Sequence, residues 1–486
     1  MYALLPPKIA VTSPMNIDNI VRKLVGQASG VTADSRSVKP GFVFVCLSEA
    51  AKGFVPDAVE AGAKFIVANN AEGLSRVDCS QIIICPRQYD FYYKLASEFY
   101  HSRQPEFVAV VTGTNGKTSV ADFCRQIWCL TGHTGASMGT LGAIVGSTTL
   151  PSSTSFTTPD AVELHKTLSE LHNLQVKYLC MEASSHGMAQ KRLYGVKAST
   201  AAFTNLSSDH LDYHGSMEKY WATKQKLFSE VLSREGCAVL NADSEQYAEL
   251  RELAAGRNVI TYGADTGDVR LVRLESNTRG HNITVEICGK VIYEGAFPVL
   301  GKFQISNLLC ALAIVAASGS GYIDVPIDKL VPPRGRMELI GDRIIIDYAH
   351  TYDALEHALT SLKWHGFPQK TVLVFGCGGD RDREKRETMG IVANKYADVV
   401  IVTDDNPRSE NPETIRKEIL SHCKKAIEIP DRGNAIHYAV NFAIRNDHVL
   451  LIAGKGHETT QQIAGKSVEF NDGATVRQCL SAMQYA

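Results

Sequence analysis

The stretch between residues 107 and 130 constrains the fold of this chain more than any other. Residues 107–111 form an apolar run that predicts a buried strand, and the apolar spacing of residues 120–130 predicts a helix. The turn between them, VTGTNGKTS over residues 111–119, is rich in glycine and ends in a lysine and two hydroxyl residues. A strand, a glycine-rich turn and a helix in this order favour an α/β fold with a phosphate-binding loop.

The residues of this turn suit nucleotide phosphates. Gly113 and Gly116 allow backbone N–H groups to approach phosphate oxygens at the N-terminus of a helix. Lys117 can reach the terminal phosphates, and the Thr118 hydroxyl can bind Mg²⁺. The common form of the loop has a further glycine where this chain has Val111, so a glycine turn without a ligand is the alternative. The flanking strand and helix favour phosphate binding.

Composition narrows the class of protein. The chain has 486 residues, 44% hydrophobic and 21% charged, as expected for a globular protein of several domains. The formal net charge of -2 argues against a nucleic-acid partner. Twelve cysteines without a C-x-x-C pair predict free thiols in a reducing compartment and give a zinc site weak support. No apolar stretch could span a bilayer and no secretory signal is evident, so we expect a cytoplasmic protein without a membrane partner.

The pattern of apolar runs divides the chain into three α/β units. In residues 16–104, short strands alternate with helices, which predicts a parallel sheet. The second unit adds alternating residues at 269–292, which predict antiparallel strands. The sequence PPRG at 332–335 predicts a hinge before a third unit of strands and helices. The predicted domains are residues 1–105, 106–332 and 333–486.

Polar residues follow the predicted strands of the second unit, where ligands gather in open α/β sheets. Glu182 is a candidate Mg²⁺ ligand, although a helix-capping carboxylate is the alternative. His210 lies in the sequence DHLDYH (209–214), which permits a zinc interpretation, a structural histidine, or a histidine that helps to hold a second Mg²⁺ beside a phosphate. Lys224 and Lys226, taken alone, predict a solvated helix face.

The third unit has similar strand ends. Asp347 ends one predicted strand, and the motifs CGGDR (377–381), DDNPR (404–408) and GKGHE (454–458) follow three others. These motifs provide Arg381, Arg408 and Glu458, a set that suits a zwitterion with more than one carboxylate, because arginine binds carboxylates through two hydrogen bonds. Ordinary turn chemistry with surface charge is the alternative for each motif alone.

Taken together, these motifs resemble those of the Mur ligase family over nearly the whole chain. The matching motifs are DSR (34–36), TGTNGKT (112–118), TTP (157–159), EASSHG (182–187), DHLDYH (209–214), GRME (335–338), DYAH (347–350), GDR (379–381), DNPR (405–408) and GKGHE (454–458). The resemblance implies three domains: an N-terminal UDP-binding domain, a central P-loop ATPase domain and a Rossmann-like C-terminal domain for the incoming amino acid.

The resemblance also implies a reaction. ATP would phosphorylate the D-glutamyl carboxylate of UDP-MurNAc-L-Ala-D-Glu, and an amine would attack the acyl phosphate to give an amide, ADP and phosphate. This is a ligation of cytoplasmic peptidoglycan precursor synthesis with small-molecule substrates only, and a monomer is expected. Mg²⁺ is the implied metal, and Lys224 matches the lysine that the family carries as a carbamate.

The implied site residues fall into four groups. Catalytic roles fall to Lys117, Lys224, His210 and Glu182. The ATP contacts are Gly113, Thr114, Asn115, Gly116, Lys117, Thr118, Ser119, Asn307, Arg336 and Asp347. The UDP-MurNAc-dipeptide contacts are Ser35, Thr157, Thr158, Ser184, Gln190 and Arg192. The metal ligands are Thr118, Glu182, His210 and the carbamate of Lys224.

The amino-acid contacts resemble those of the branch that adds meso-diaminopimelate. They are Arg381, Asp405, Asn406, Pro407, Arg408, Gly454 and Glu458. Diaminopimelate differs from lysine by one carboxylate, which Arg408 can bind, and Glu458 would take the ammonium. A lysine substrate would leave Arg408 unpaired, which is costly in a closed site. The chain departs from the family at Gln304, where asparagine is usual, and at Tyr352, where proline is usual.

Four other functions are compatible with parts of this pattern. The same ligation with L-lysine is the nearest alternative. A folylpolyglutamate synthase-like ligase shares the second and third domains, but the N-terminal unit and the TTP motif argue against it. A P-loop kinase would not need the arginine-bearing third unit. A non-enzymatic nucleotide-binding scaffold does not explain why Lys117, Glu182, His210 and Lys224 occur together.

Overall fold

The computed structural model describes residues 8–10, 14–74, 81–151, 156–321, 324–367, 370–381 and 383–484. They form three α/β units, each built on its own sheet, together with a short hairpin. The predicted fold class, several parallel or mixed sheets in a three-unit α/β chain, is therefore confirmed. The cysteines within these described ranges are free thiols, as predicted.

The first unit is a parallel sheet of five strands in the order β1-β5-β4-β3-β2. The strands are β1 (Lys8–Ala10), β2 (Gly30–Thr32), β3 (Phe42–Val45), β4 (Phe65–Ala68) and β5 (Gln81–Ile84). The helices are α1 (Pro14–Val25), α2 (Val55–Glu60) and α3 (Gln88–Phe99). Strand β1 pairs with β5 at the edge of the sheet, and the sequence analysis did not predict it.

The second unit contains an eleven-stranded mixed sheet in the order β16-β15-β14-β13-β12-β11-β6-β10-β7-β8-β9. Its strands are β6 (Phe107–Thr112), β7 (Gly135–Gly139), β8 (Gly142–Val145), β9 (Thr148–Thr149), β10 (Tyr178–Glu182), β11 (Ala198–Phe203), β12 (Leu232–Asn241), β13 (Asn258–Gly263), β14 (Val269–Asn277), β15 (Gly280–Ile287) and β16 (Lys290–Phe297). The predicted antiparallel addition is formed by β14, β15 and β16.

Seven helices accompany this sheet in the described part of the chain: α4 (Lys117–Leu130), α5 (Ala161–Asn173), α6 (Ser185–Ala189), α7 (Leu211–His214), α8 (Met217–Lys226), α9 (Tyr247–Leu253) and α10 (Lys302–Ala317). Helices α4 and α10 pack against each other on one face, within an apolar core that includes Trp128 and Leu312. Because α10 is apolar on nearly all sides, it must be buried on more than one side, and α4 and the sheet bury it.

The third unit is a six-stranded sheet in the order β17-β18-β22-β19-β20-β21, with only β17 antiparallel. Its strands are β17 (Glu338–Ile340), β18 (Ile344–Asp347), β19 (Thr371–Phe375), β20 (Val399–Val402), β21 (Ala426–Glu428) and β22 (Val449–Ala453), and β23 (Thr460–Ile463) and β24 (Lys466–Glu469) form the hairpin. The helices are α11 (Tyr352–Trp364), α12 (Glu384–Tyr396), α13 (Pro412–His422), α14 (Arg432–Arg445) and α15 (Asp472–Gln484).

A buried histidine joins the second and third units. His365, which caps the end of α11, donates from Nδ1 to the Asn277 carbonyl at 2.8 Å and accepts from the Gly301 N–H at 2.7 Å through Nε2. This pair of contacts fixes the neutral tautomer, because only a neutral ring offers one donor and one acceptor. The ring of His281 lies 4.5 Å from that of His365, and burial lowers the pKa of His281 to about 3.

Within the described ranges, no helix is both long and apolar enough to cross a membrane.

Candidate active site

The phosphate loop lies where the central strands of the second sheet end. Strands β10, β6 and β11 are parallel neighbours, so the residues after Glu182, Thr112 and Phe203 meet at one edge of the sheet. Val111, where the common loop has glycine, is a fully buried residue of β6. The chain leaves the sheet only after Thr112, so the turn does not need a glycine at position 111.

Gly116 is required by both its backbone and its surroundings. Its φ of 88° lies in the left-handed region, where it caps the N-terminus of α4. A Cβ atom at this position would lie 2.2 Å from Oδ1 of Asn307 on α10. The fold therefore brings Asn307, one of the predicted ATP contacts, directly against the predicted phosphate loop.

The loop is braced by residues that follow β11. The Thr114 N–H donates to the Asn205 carbonyl at 2.9 Å, and the Asn115 N–H donates to Asn205 Oδ1 at 3.0 Å. The Thr204 hydroxyl donates to the Asn115 carbonyl at 2.6 Å. The sequence analysis missed Thr204 and Asn205, because only the fold places their strand beside the loop. Thr114, Thr118 and Ser119, three of the predicted contacts, are buried here.

The side chain of Lys117 folds back over the loop. Its Nζ donates to the carbonyls of Gly113 at 2.9 Å and Thr114 at 2.8 Å. Burial lowers the pKa of Lys117, and the nearby carboxylates of Glu182 and Asp209 oppose that shift. The amine thus lies beside the loop whose backbone N–H groups a phosphate would contact.

Glu182 does not cap a helix. The following helix, α6, is capped by Ser184, whose hydroxyl accepts from the Gly187 N–H at 3.1 Å. The Glu182 carboxylate instead accepts from the Thr118 hydroxyl at 3.1 Å and from the Thr140 N–H at 2.8 Å. Burial raises the pKa of Glu182, with Lys117 acting in the opposite direction. A buried carboxylate beside the loop threonine offers oxygen ligands of the kind that Mg²⁺ binds.

His210 lies near the loop, beside His186 and Asp209. Within the described ranges, no group of three or more His, Cys, Asp or Glu side chains is arranged to hold a metal ion, so the zinc interpretation has no support there. The His210 ring contacts that of His186, with centroids 4.8 Å apart, and its Nε2 lies 3.5 Å from the Asp209 carboxylate. Burial lowers the pKa of His210 to about 4, so the imidazole is neutral at neutral pH.

Lys224 is buried, so the prediction of a solvated face from the sequence of its helix was wrong for this residue. Its side chain is 1% exposed, and its Nζ donates to the Gly113 carbonyl at 2.8 Å. The amine also lies 4.3 Å from the centre of the Tyr220 ring. Burial lowers the pKa of Lys224 well below its usual value, and the positive charge of Lys117 lowers it further. Lys226, two residues on, is only partly buried.

Arg336, from the third unit, reaches the phosphate loop. Its Nη2 donates to the Thr118 hydroxyl at 3.3 Å, and its guanidinium lies 4.5 Å from the centre of the Tyr348 ring. Asp347 accepts from the N–H groups of Met337 at 2.7 Å and Ala349 at 2.8 Å, which fixes the segment that carries Arg336. Burial raises the pKa of Asp347 to about 6. Arg336 and Asn307 thus lie against the loop, whereas Asp347 supports the segment that carries Arg336.

The predicted dipeptide contacts form a network on the other side of Glu182. The Thr158 hydroxyl donates to the Glu182 carbonyl at 3.1 Å, and Arg192 donates to the Thr158 carbonyl at 2.6 Å. Arg192 also donates to Oε1 of Gln190, and the Ser184 N–H donates to the Thr158 hydroxyl at 2.9 Å. Thr157 joins through its hydroxyl, 3.0 Å from that of Thr140. Ser35 lies apart from this network, on a 3₁₀ turn (Ser35–Ser37) of the first unit.

Three neighbouring parallel strands of the third unit, β22, β19 and β20, are followed by the predicted amino-acid contacts. Asn406 donates from Nδ2 to Glu458 Oε2 at 2.8 Å, so the DNPR and GKGHE motifs are in contact. Arg408 donates from Nη1 to the Gly379 carbonyl at 2.7 Å, which joins the DNPR motif to the GDR motif. The Arg408 backbone, with a φ of 53°, is held by the hairpin through the carbonyl of Gln462 and the N–H of Ala464.

The remaining members of this set are nearby. Asp405 and Pro407 are buried on either side of Asn406, and a Cβ atom on Gly454 would lie 2.8 Å from the Asp405 carboxylate. Arg381 is exposed at the tip of its turn. The structure also brings in Lys455, which the sequence analysis did not select: its Nζ donates to Glu458 Oε2 at 2.6 Å.

A phosphate loop with a buried carboxylate beside it, reached by an arginine from a second α/β unit, defines the chain as a P-loop enzyme of several domains. The family model of the Mur ligase middle domain matches residues 111–315, and that of the Mur ligase, glutamate ligase domain matches residues 335–456. A protein of Anaplasma marginale (strain St. Maries), UDP-N-acetylmuramoyl-L-alanyl-D-glutamate--2,6-diaminopimelate ligase, is 88% identical over 97% of this chain and all of its own length. The chain belongs to the Mur ligase family.

Two further comparisons agree with this assignment. The protein of the same name from Rhizobium meliloti (strain 1021) is 41% identical over 98% of this chain and all of its own length. A solved structure of a UDP-N-acetylmuramoyl-L-alanyl-D-glutamate--2,6-diaminopimelate ligase superposes with a TM-score of 0.62 at 32% identity, covering 94% of this chain and 96% of the other. The similarity therefore includes the first unit, which neither family model covers.

Proposed function

We propose that the chain is an ATP-dependent ligase that joins meso-diaminopimelate to UDP-MurNAc-L-Ala-D-Glu in peptidoglycan precursor synthesis. The observation that carries the proposal is the contact of Arg336 with Thr118, because it brings the unit with the amino-acid contacts onto the phosphate loop. The identity of 88% to a diaminopimelate ligase over nearly the whole chain supports the choice of substrates. We also propose the domain limits 1–105, 106–332 and 333–486.

The first step is phosphoryl transfer. A carboxylate oxygen of the D-glutamyl group attacks the terminal phosphorus of ATP, and ADP leaves. Lys117 and Arg336 flank Thr118 and provide two positive charges for the oxygens of the moving phosphoryl group. Asn205 braces the loop by accepting hydrogen bonds from the N–H groups of Thr114 and Asn115, so phosphate would bind the N–H groups at the N-terminus of α4. These residues lower the barrier by stabilising charge and by positioning the reactants.

The residues beside the loop fit Mg²⁺. Thr118 and Glu182 present oxygen atoms, and burial keeps His210 neutral, so that a ring nitrogen can act as a ligand. When bound, Mg²⁺ neutralises negative charge on the phosphate oxygens. Thr140 and Thr118 orient the Glu182 carboxylate through hydrogen bonds to both of its oxygens.

Lys224 fits the carbamate proposed for it. Its amine is buried beside a carbonyl, Gly113, and an aromatic ring, Tyr220, and no carboxylate accepts a hydrogen bond from it among the residues that the structure describes. The nearby charge of Asp209 favours the ammonium, but burial and the positive charge of Lys117 outweigh it and lower the pKa of Lys224, so the neutral amine is favoured. A neutral amine can attack CO₂, lose a proton and become an anionic carbamate, which would add an oxygen ligand beside Glu182 and His210.

The second step forms the amide. The amine of the incoming amino acid attacks the acyl carbon, loses a proton and displaces phosphate. The sugar dipeptide is held beside Glu182 by five residues of the second unit: Thr157, Thr158, Ser184, Gln190 and Arg192. Its uridine end is contacted by Ser35 of the first unit. Arg192 is the cation of this network, and its guanidinium lies 4.8 Å from the centre of the Phe156 ring.

The amino acid is recognised by the strand ends of the third unit. Arg408, fixed by the Gly379 carbonyl, binds the distal carboxylate together with Arg381, and Glu458 and Asn406 bind the distal ammonium. L-lysine lacks the distal carboxylate and would leave these arginines unpaired, so it is a poor substrate. A folylpolyglutamate synthase-like activity does not account for the first unit, over which the relatives also align.

The partners are the three small-molecule substrates, and we propose a cytoplasmic monomer without nucleic-acid or membrane partners.

The proposal is tested by measuring ADP release. Purified protein with ATP, Mg²⁺ and UDP-MurNAc-L-Ala-D-Glu should release ADP only when an amino acid is added, with meso-diaminopimelate far more effective than L-lysine or ornithine. Omission of the UDP-dipeptide is the control, because a kinase or a simple ATPase would still release ADP without it. ADP release that ignores the amino acid, or that favours L-lysine, would contradict the proposal.

A further inference from the structure

Lys455 is a fully buried cation beside the proposed amino-acid contacts. Its side chain is 0% exposed, and its Nζ donates to three acceptors: Glu458 Oε2 at 2.6 Å, Asn406 Oδ1 at 3.1 Å and the Thr460 carbonyl at 2.8 Å. An ammonium has three hydrogens, so every donor is used within the protein. Lys455 therefore has no hydrogen left for a substrate, although two of its acceptors are proposed to contact one.

These hydrogen bonds determine how the Asn406 amide is oriented. Asn406 Oδ1 accepts from both Lys455 and the Gln462 N–H, the latter at 2.9 Å. With its oxygen turned to two donors, the amide must direct Nδ2 towards Glu458, and it donates to Oε2 there at 2.8 Å. The flipped amide would put its NH₂ group against an ammonium and a backbone N–H, which is unfavourable.

The same contacts determine which Glu458 oxygen is engaged. Lys455 and Asn406 both donate to Oε2, and the Glu458 side chain is 29% exposed. A carboxylate can accept several hydrogen bonds, so Oε1 is available on the open side. The hydrogen bonds from Lys455 and Asn406 hold the Glu458 carboxylate in place before an ammonium arrives.

We propose that Lys455 is a positioning residue for the distal ammonium of the amino acid, acting through Glu458 and Asn406. The inference rests on the proposed function, since it refines how the same strand ends choose their substrate. It assigns to one buried lysine the preference for an amino acid with a second amine. Without Lys455, Glu458 would lose a charged partner and Asn406 would be free to flip.

The test compares two substrates that differ only in the distal amine. Meso-diaminopimelate carries it, and 2-aminopimelate does not. For Lys455→Met we expect the ratio of kcat/KM values, diaminopimelate over 2-aminopimelate, to fall about 10-fold or more, with KM for ATP within about 2-fold of wild type. Lys417→Met is the matched control, because Lys417 is an exposed lysine of α13 paired with Glu413, and it should leave the ratio unchanged.

Three outcomes would overturn the inference. One is an equal loss of activity on both amino acids, which indicates a purely structural role for Lys455. Another is a rise in KM for ATP with an unchanged ratio. If Lys455→Met and Lys455→Gln both fail to fold, Glu458→Gln keeps the lysine in place, and an unchanged ratio in that variant also refutes the inference. Wild-type protein that does not use diaminopimelate at all would instead contradict the proposed function.

Discussion

Substitution of Gly335 by alanine should damage activity through one backbone contact. Gly335 has a φ of 65°, and a Cβ atom there would lie 2.3 Å from both the Gly456 carbonyl carbon and the His457 nitrogen. Ordinary carbon contacts are about 3.5–4.0 Å, so one of the two segments must move by about 1 Å. One of them carries Arg336, and the other lies between Lys455 and Glu458. The new methyl group would therefore move the Arg336–Thr118 contact at the phosphate loop away from the amino-acid contacts around Glu458.

Gly341 provides a matched control. Its φ of 64° is almost the same, but nothing lies within 4 Å of a Cβ atom built there. Alanine at either position should lower the free energy of unfolding by about 1–2 kcal/mol, because the backbone there is left-handed. Only Gly335→Ala adds the clash, worth a further ~1–3 kcal/mol by analogy with overpacked cores. A displacement of about 1 Å near reacting groups costs about 100-fold in rate, so Gly335→Ala should lose that much in kcat/KM.

Two measurements separate these contributions. The free energy of unfolding, from urea titrations, should fall for both variants and further for Gly335→Ala. ADP release at saturating ATP and UDP-dipeptide should stay near wild type for Gly341→Ala and fall about 100-fold for Gly335→Ala. If the two variants retain the same activity, the contact between Gly335 and the Gly456–His457 backbone does not align the site, and the reasoning fails.

Three other predictions follow from the same geometry. Lys117→Ala should abolish ADP release while the protein still unfolds cooperatively, and wild-type rates would contradict the role of the loop. Arg408→Ala should raise KM for diaminopimelate far more than KM for ATP, and unchanged diaminopimelate kinetics would refute the proposed specificity. His281 stays neutral in the folded protein, with its pKa lowered to about 3, whereas in the unfolded chain it gains a proton below about 6.5. Its contribution to stability is therefore complete above pH 6.5 and is lost as the pH falls, by about 2 kcal/mol at pH 5. His281→Phe should reduce the difference in unfolding free energy between pH 7 and pH 5 by that amount, measured in urea, and an unreduced difference would show that this histidine is not responsible.

Much of the fold follows from local patterns in the sequence. The apolar runs at β6, β10 and β22 are buried on both faces, and their composition predicts strands directly. Strand β7 was missed because its sequence, GASMG, has the composition of a loop. It becomes a strand by pairing with β10, a contact that no local pattern contains. Because β7 was not predicted, the sequence analysis also did not identify Thr140, which follows β7 and donates to Glu182.

The site was predicted less completely, because charge and burial depend on the tertiary environment. Lys224 and Lys226 are equivalent in local sequence, but only the first faces the carbonyl of Gly113 across the fold. Lys455 precedes the predicted contact Glu458 by three residues, yet only the fold brings it to Asn406, which lies 49 residues away in the sequence. The motifs therefore predict the segments of the site, and the fold shows which side chains within those segments interact.

The folded-back position of Lys117 has a consequence for how nucleotide enters. The amine already has two oxygen partners within the loop, the carbonyls of Gly113 and Thr114. An arriving phosphate would therefore replace two carbonyl oxygens as partners of a cation that is already partly buried. Capture of the nucleotide should then be fast and should show little net enthalpy from this lysine, because one set of acceptors is exchanged for another.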